Sequence, residues 1–250
     1  MISRWGQIVK LSGKMIDVPL TSRFLNRTLP IIAYLPPHDE PGKEYPVLIA
    51  QDGREYIQLG RLSSLADDWI SKEILQPIII IAIPYENLQS RRECYHPEGS
   101  LHRAYLETLT EEVFPAVASR FPIVSEPDGR TLIGDSLGGT LSLLAALARP
   151  DLFGNVIMQS PFVSQNMVDQ ILAHRESIPL SVYHSIGRHE TAVKTTSGKI
   201  EDFDYYNQKL HHALCQRGMH SYSFHETDGS HTWRAWQPDL RLALLEKFGY

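Results

Sequence analysis

Gly134-Asp135-Ser136-Leu137-Gly138, followed by Gly139, matches the pattern G-x-S-x-G. A serine in this setting can act as a nucleophile if the chain presents its hydroxyl on a sharp turn between a strand and a helix. Five residues alone do not decide the matter, and their surroundings do. The strand-like run Arg130 to Ile133 leads directly into the motif, and Leu141, Leu143, Leu144 and Leu147 behind it have the pattern of a buried helix that stops at Pro150. Strand, turn and helix therefore meet at Ser136. The flanking glycines remove the Cβ atoms that would collide in such a turn, and a helix beginning at Ser136 aims its positive end at any oxyanion forming there.

A serine hydroxyl needs an imidazole to take its proton. Of the 11 histidines, His231 in Asp228-Gly229-Ser230-His231 is expected to be the base. It follows the last strand-like run and precedes a helix carrying Trp233, Trp236, Leu240 and Leu244 on one face. His225 lies within that run and reads as a side chain on the sheet surface. The imidazole in turn needs a carboxylate, on a strand-end loop between the serine and the histidine. Glu190, Asp202 and Asp204 are the candidates. Glu190 is preferred because Ser181 to Ser185 runs out through Gly187 to reach it. Asp202 and Asp204 sit at the start of a helix, where acidic residues cap or favour the dipole, and Asp202 is kept as the alternative acid. Asp135 should point away from Ser136. An oxyanion hole needs two amides: Leu137 supplies one, and Arg54, after Gln51-Asp52-Gly53, the second.

These residues must be held by a scaffold. Gln7 to Asp17 and Arg27 to Leu35 read as an opening antiparallel pair of strands. Tyr45 to Gln51, Ile78 to Ile83, Arg130 to Gly134, Asn155 to Gln159, Ser181 to Ser185 and Ser221 to His225 read as inner strands covered on both faces. Helical patterns lie between them. In the longest, Leu101 to Phe121, Leu106, Leu109, Val113 and Val117 share a face, and Pro115 should kink it. Alternation of this kind predicts an α/β class chain with a doubly wound, mostly parallel sheet and its ligand site at the carboxyl ends of the strands. No repeat or linker divides residues 1–250, which are expected to form a single domain.

Composition narrows the partners. With 42% hydrophobic and 21% charged residues and a formal net charge of −5, the chain has no basic run for nucleic acid or an anionic membrane. A small-molecule partner is expected. Cys94 and Cys215 suggest free thiols in a reducing compartment rather than a disulfide or metal framework. The opening residues lack the apolar core of a secretory signal, and the run Ile78 to Ile83 is far too short to span a membrane, so a cytoplasmic location is expected.

With these residues in hand, the chain resembles the esterase D-like group of α/β-hydrolases, which includes siderophore, feruloyl and acetylxylan esterases, S-formylglutathione hydrolases and mycolyltransferases. The resemblance covers roughly residues 28 to 245 and is carried by Tyr45-Pro46-Val47-Leu48 leading to Asp52-Gly53, Glu111-Glu112-Val113-Phe114-Pro115, the Gly134 to Gly139 string and Gly229-Ser230-His231. It implies an α/β-hydrolase fold with about eight strands, helices on both faces and no large separate lid domain. It also implies an oxyanion amide just after Asp-Gly, matching Arg54, and an acid a few residues past a glycine, matching Gly187 to Glu190. Thr191 to Lys199 reads as an insertion, which keeps Asp202 in play.

The expected activity is that of a carboxylesterase: hydrolysis of a small-molecule ester through Ser136, His231 and Glu190 and an acyl-enzyme, with no metal or organic cofactor implied. An acyltransferase, thioesterase or peptidase on the same site, or a silent binding module, is the alternative, and a homodimer is left open. Arg91, Arg92, Tyr95 and His96 fall on the active-site side. A guanidinium there could clamp a substrate carboxylate, but pairing with Glu93 or Glu98 is preferred. Tyr56, Tyr85, Tyr205, Tyr206 and Trp233 could wall the cleft or simply pack.

Overall fold

Eight strands, the central ones rich in Ile, Val and Leu, build one sheet in the computed structural model, which describes residues 11–37, 42–174 and 176–250. In chain order they are β1 (Lys14–Asp17), β2 (Ile32–Leu35), β3 (Val47–Ala50), β4 (Ile79–Ala82), β5 (Arg130–Asp135), β6 (Asn155–Gln159), β7 (Ile178–Gly187) and β8 (Met219–Thr227). Their order across the sheet is β1-β2-β4-β3-β5-β6-β7-β8. β2 runs antiparallel to both its neighbours, and every pair from β4 to β8 is parallel. Parallel pairing puts the carboxyl ends of β3, β5, β6, β7 and β8 along one edge.

The helices are α1 (Gly53–Gln58), α2 (Leu62–Ser71), α3 (Leu88–Tyr95), α4 (His102–Thr108), α5 (Phe114–Arg120), α6 (Leu137–Ala148), α7 (Gln165–Ala173), α8 (Phe203–Arg217) and α9 (Trp233–Phe248). Successive side chains of a strand face opposite sides, so each inner strand feeds two cores. Val47, Ile49, Ile79, Ile81, Leu132 and Val156 pack with residues of α5 to α8 on one face. Leu48, Ala50, Ile80, Ile133, Ile157 and Tyr183 pack with α1, α2 and α9 on the other. Hydrophobic burial on both sides accounts for strands without polar alternation. The architecture is that of an α/β-hydrolase, and no separate lid domain is inserted among the described residues.

The opening antiparallel pair is present as β1 against β2, in register from Lys14 with Leu35 to Asp17 with Ile32. Residues 7–10 of the expected first strand lie outside the described residues. The expected strand Arg27 to Leu35 is two elements: Pro30, which has no N–H for a ladder, separates β2 from Arg27–Leu29, which pairs with Leu20–Ser22 in a hairpin outside the main sheet. β7 and β8 are longer than their apolar centres suggested.

Pro115 does not simply kink its helix. Between α4 and α5 the chain widens into a π-helical segment, Leu109–Val113, and the Phe114 N–H donates to the Leu109 carbonyl. A proline ring collides with the carbonyl four residues earlier, here that of Glu111, and the wide turn lies at that point. No helix among the described residues is long and apolar enough to cross a membrane.

Candidate active site

Three of the inner strands end in a non-glycine residue with a positive φ: Asp52 (53°) after β3, Ser136 (52°) after β5 and Ser160 (45°) after β6. Such conformations are costly and persist where the surroundings impose them. At Ser136 the imposition is visible. The residue turns from β5 directly into the first turn of α6, its N–H donates to Gln159 O at 2.9 Å, and Phe162 N–H donates to its carbonyl oxygen at 3.1 Å. A side chain on Gly134 would run into the backbone of Gly138 and Gly139. These glycines let strand and helix close up beneath the serine.

The loops after β7 and β8 bring two more residues to the same edge. His231 Nε2 lies 2.9 Å from Ser136 Oγ, and His231 Nδ1 lies 2.6 Å from Glu190 Oε2. An ionised carboxylate only accepts, so Nδ1 carries the imidazole proton and Nε2 is left to accept from the serine. Phe203 and Trp236 pack edge-on against the ring at centroid distances of 4.4 and 4.8 Å. Glu190 is fully buried, and its Oε1 accepts from Gly187 N–H at 3.0 Å and Ser160 Oγ at 2.7 Å. Its main-chain oxygen receives the amides of Phe203 and Asp204 at the head of α8.

Sequence reasoning thus named the three residues that meet. Asp202 is not brought to His231: its Oδ1 accepts from Tyr205 N–H at 2.9 Å as the N-cap of α8. The insertion after Glu190 folds as a small hairpin, Val193–Lys194 against Ile200–Glu201, and its residues form one wall of the cleft. His225 sits on the sheet surface as expected, stacked on Tyr183 at 4.5 Å.

Leu137 and Arg54 occupy the first turns of α6 and α1. Gly53 N–H is committed to Ile83 O at 3.0 Å, whereas no acceptor among the described residues takes the amides of Arg54 or Leu137. A Cβ on Gly138 would stand 2.6 Å from Asp52 Oδ2, so the Asp52-Gly53-Arg54 turn lies against the start of α6.

Arg91 is paired, but not with Glu93 or Glu98. Its Nε and Nη2 each donate to an oxygen of Asp52 at 2.6 Å, and Nη2 also reaches Asp135 O at 3.2 Å. The partner stands 39 positions away in the turn after β3, which local spacing cannot reveal. Asp135 is buried beside this pair, its Oδ1 without a hydrogen-bond partner among the described residues, and burial, then the charge of Asp52, pushes its carboxyl well above the usual range.

Above Ser136 opens a cleft of ≈ 460 Å³. Leu59, Leu88, Phe162 and Trp233 give it apolar walls, while Arg92 and Lys199 bring cations to it. Of the expected aromatic residues, Tyr85 and Trp233 line it and Tyr205 and Tyr206 do not. Tyr56 is fully buried, its hydroxyl donating to Gln159 Oε1 at 3.0 Å. Ser160, which touches Glu190, was missed. Ser160-Pro161 after β6 reads only as a turn, and nothing local in the sequence ties it to Glu190.

A family model described as "Putative esterase" matches residues 22–246. The chain belongs to this esterase family. Among its relatives, YjcH of Bacillus subtilis (strain 168) is 40% identical over 233 residues, covering 93% of this chain and 97% of that protein. Among solved structures, the enterobactin esterase FES from Shigella flexneri superposes with a TM-score of 0.79 at 18% identity, over 94% of this chain. This esterase spans 59% of that longer chain. A ferulic acid esterase superposes with a TM-score of 0.75 at 16% identity, over 96% of this chain and 98% of its own. At these identities the superpositions speak for the α/β-hydrolase fold, and the family match makes the protein a hydrolase acting on esters.

Proposed function

We propose that the protein is a carboxylesterase-type serine hydrolase in which Ser136, His231 and Glu190 act as a catalytic triad. The observation that supports this reading is the unbroken line from Ser136 Oγ through the His231 ring to Glu190 Oε2, at 2.9 and 2.6 Å. Ser136 Oγ attacks the ester carbonyl as His231 Nε2 takes its proton. The carbonyl oxygen becomes an oxyanion, held by the Leu137 and Arg54 amides. His231 then gives the proton to the leaving alcohol, and an acyl-enzyme remains. Water, deprotonated by His231, attacks that acyl group, and the proton returns to Ser136 as the acid departs. Glu190 keeps the imidazole in the required tautomer and stabilises the imidazolium.

The same reading takes the chain as one domain working on a small-molecule ester in the cytoplasm. The mixture of apolar walls with Arg92 and Lys199 suits an ester of moderate size with polar substituents. The test is turnover of p-nitrophenyl acetate by wild type and Ser136→Ala, together with labelling by a fluorophosphonate probe. Wild type should be labelled and active, and removal of the hydroxyl should cost on the order of 10⁶ in kcat. Undiminished turnover by Ser136→Ala would overturn the reading.

A further inference from the structure

Glu190 is shut away from water, and its Oε1 faces away from His231. Which way the carboxylate points is settled by what holds Oε1. One donor is the Gly187 N–H at 3.0 Å, and the other is the Ser160 hydroxyl at 2.7 Å. The direction of this second bond follows from chemistry. Trp236 Nε1 lies 2.9 Å from Ser160 Oγ and can only donate, so Oγ accepts there and its single proton is free for Glu190. Ser160 itself is 1% exposed, and its N–H donates to Ser185 O at 2.8 Å. Two residues on, Phe162 N–H donates to Ser136 O, so a three-residue segment touches both ends of the line from serine to acid.

We propose that Ser160 is a positioning residue for the esterase reaction, its hydroxyl holding Glu190 in the orientation from which Oε2 meets His231. The proposal rests on the catalytic reading above. Ser160 touches neither His231 nor the substrate cleft and acts through Glu190 alone. Without the hydroxyl, Glu190 Oε1 keeps one donor and Trp236 Nε1 loses its acceptor, leaving two poorly satisfied groups in a dry site. The carboxylate can then rotate out of line with His231.

Ser160→Gly is the informative variant. Glycine adopts a φ of 45° without strain, so the backbone is relieved while the hydroxyl is lost. With p-nitrophenyl acetate, kcat should fall roughly ten- to a hundredfold with KM little changed. The same substitution in a Glu190→Ala background should cost nothing more, because the residue through which Ser160 acts is gone. Thermal unfolding of each variant verifies that the fold is kept, and Ser160→Ala serves as a second hydroxyl-free variant should glycine lower stability. Wild-type kcat in Ser160→Gly, a loss that appears in KM instead of kcat, or a loss that simply adds to that of Glu190→Ala, would overturn the proposal. If Ser136→Ala and Glu190→Ala turned over substrate like wild type, the catalytic reading would fall and this inference with it. If both were needed and Ser160 were not, only the inference would fall.

Discussion

Arg91 closes on both carboxylate oxygens of Asp52 at 2.6 Å while donating to the main-chain oxygen of Asp135. One guanidinium therefore ties the turn that carries the Arg54 amide to the residue that precedes Ser136. Both partners are almost wholly buried, with side-chain exposures of 10% and 2%. The planar fork matches the carboxylate in a way that an ammonium cannot. Arg91→Lys should keep the charge, lose the fork and let the Asp52-Gly53-Arg54 turn drift. The expected outcome is a kcat for p-nitrophenyl acetate lower by roughly tenfold and a fold less stable by about 2 kcal/mol. Steady-state kinetics and urea unfolding measure the two effects, and an unchanged kcat in a destabilised variant would separate the clamp from the oxyanion site.

The two carboxylates weighed for His231 have different surroundings and should respond differently to truncation. Glu190→Ala removes the acceptor of His231 Nδ1 and is expected to lower kcat on the order of 10⁴. Asp202→Ala removes a helix cap and should lower stability by about 1 kcal/mol with kcat within twofold of wild type. A comparable kcat loss in both variants would reassign the acid.

Asp135 is a buried carboxyl whose Oδ1 has no hydrogen-bond partner among the described residues, and its pKa is raised by burial and by Asp52. A group whose folded pKa lies above the unfolded value near 3.8 keeps its proton longer in the folded state, so stability falls as pH rises above that value. Asp135→Asn abolishes this dependence while keeping shape. Its stability relative to wild type should therefore grow with pH, by at most about 1.4 kcal/mol per unit. Urea unfolding at pH 5 and pH 8 tests this, and a difference that does not change with pH would mean that Asp135 is ionised throughout.

Chain order and local pattern carried the reading a long way, and the places where they stopped share a cause. Ser136, Glu190 and His231 were legible because each follows a strand-like run, and parallel strands bring such loops to one edge whatever their separation. The tie of Arg91 on α3 to Asp52 after β3 and that of Ser160 to Glu190 likewise join segments far apart in the chain. Neither has a local motif, and only packing reveals which loops are neighbours. Tyr56 was expected near the cleft from its place after β3, but its ring turns inward to Gln159. The π-helical segment at Leu109–Val113 follows from the volume of the Pro115 ring, which a one-dimensional pattern reports only as a break.

His184 lies fully buried on β7, between Asn207 Oδ1 at 2.7 Å from Nε2 and Tyr222 Oη at 3.0 Å from Nδ1. Both amide protons of Asn207 are engaged, by Pro161 O and Phe203 O, so its Oδ1 is an acceptor and the His184 Nε2 must donate. Nδ1 then accepts from the Tyr222 hydroxyl, which makes the neutral ring the form that fits. Burial pushes this imidazole down from 6.5 to about 4, a value softened by the Asn207 bond. A depressed folded pKa means that the unfolded chain takes up the proton first, so the stability contributed by His184 is present above pH 6.5 and is lost as pH falls towards 4. The loss is on the order of 3 kcal/mol across that window. His184→Gln, which can still donate to Asn207 but does not titrate, should be less stable than wild type at pH 8 and should lose less on acidification. Thermal unfolding between pH 4 and pH 8 gives the comparison, and parallel pH curves for the two proteins would exclude His184 as the titrating group.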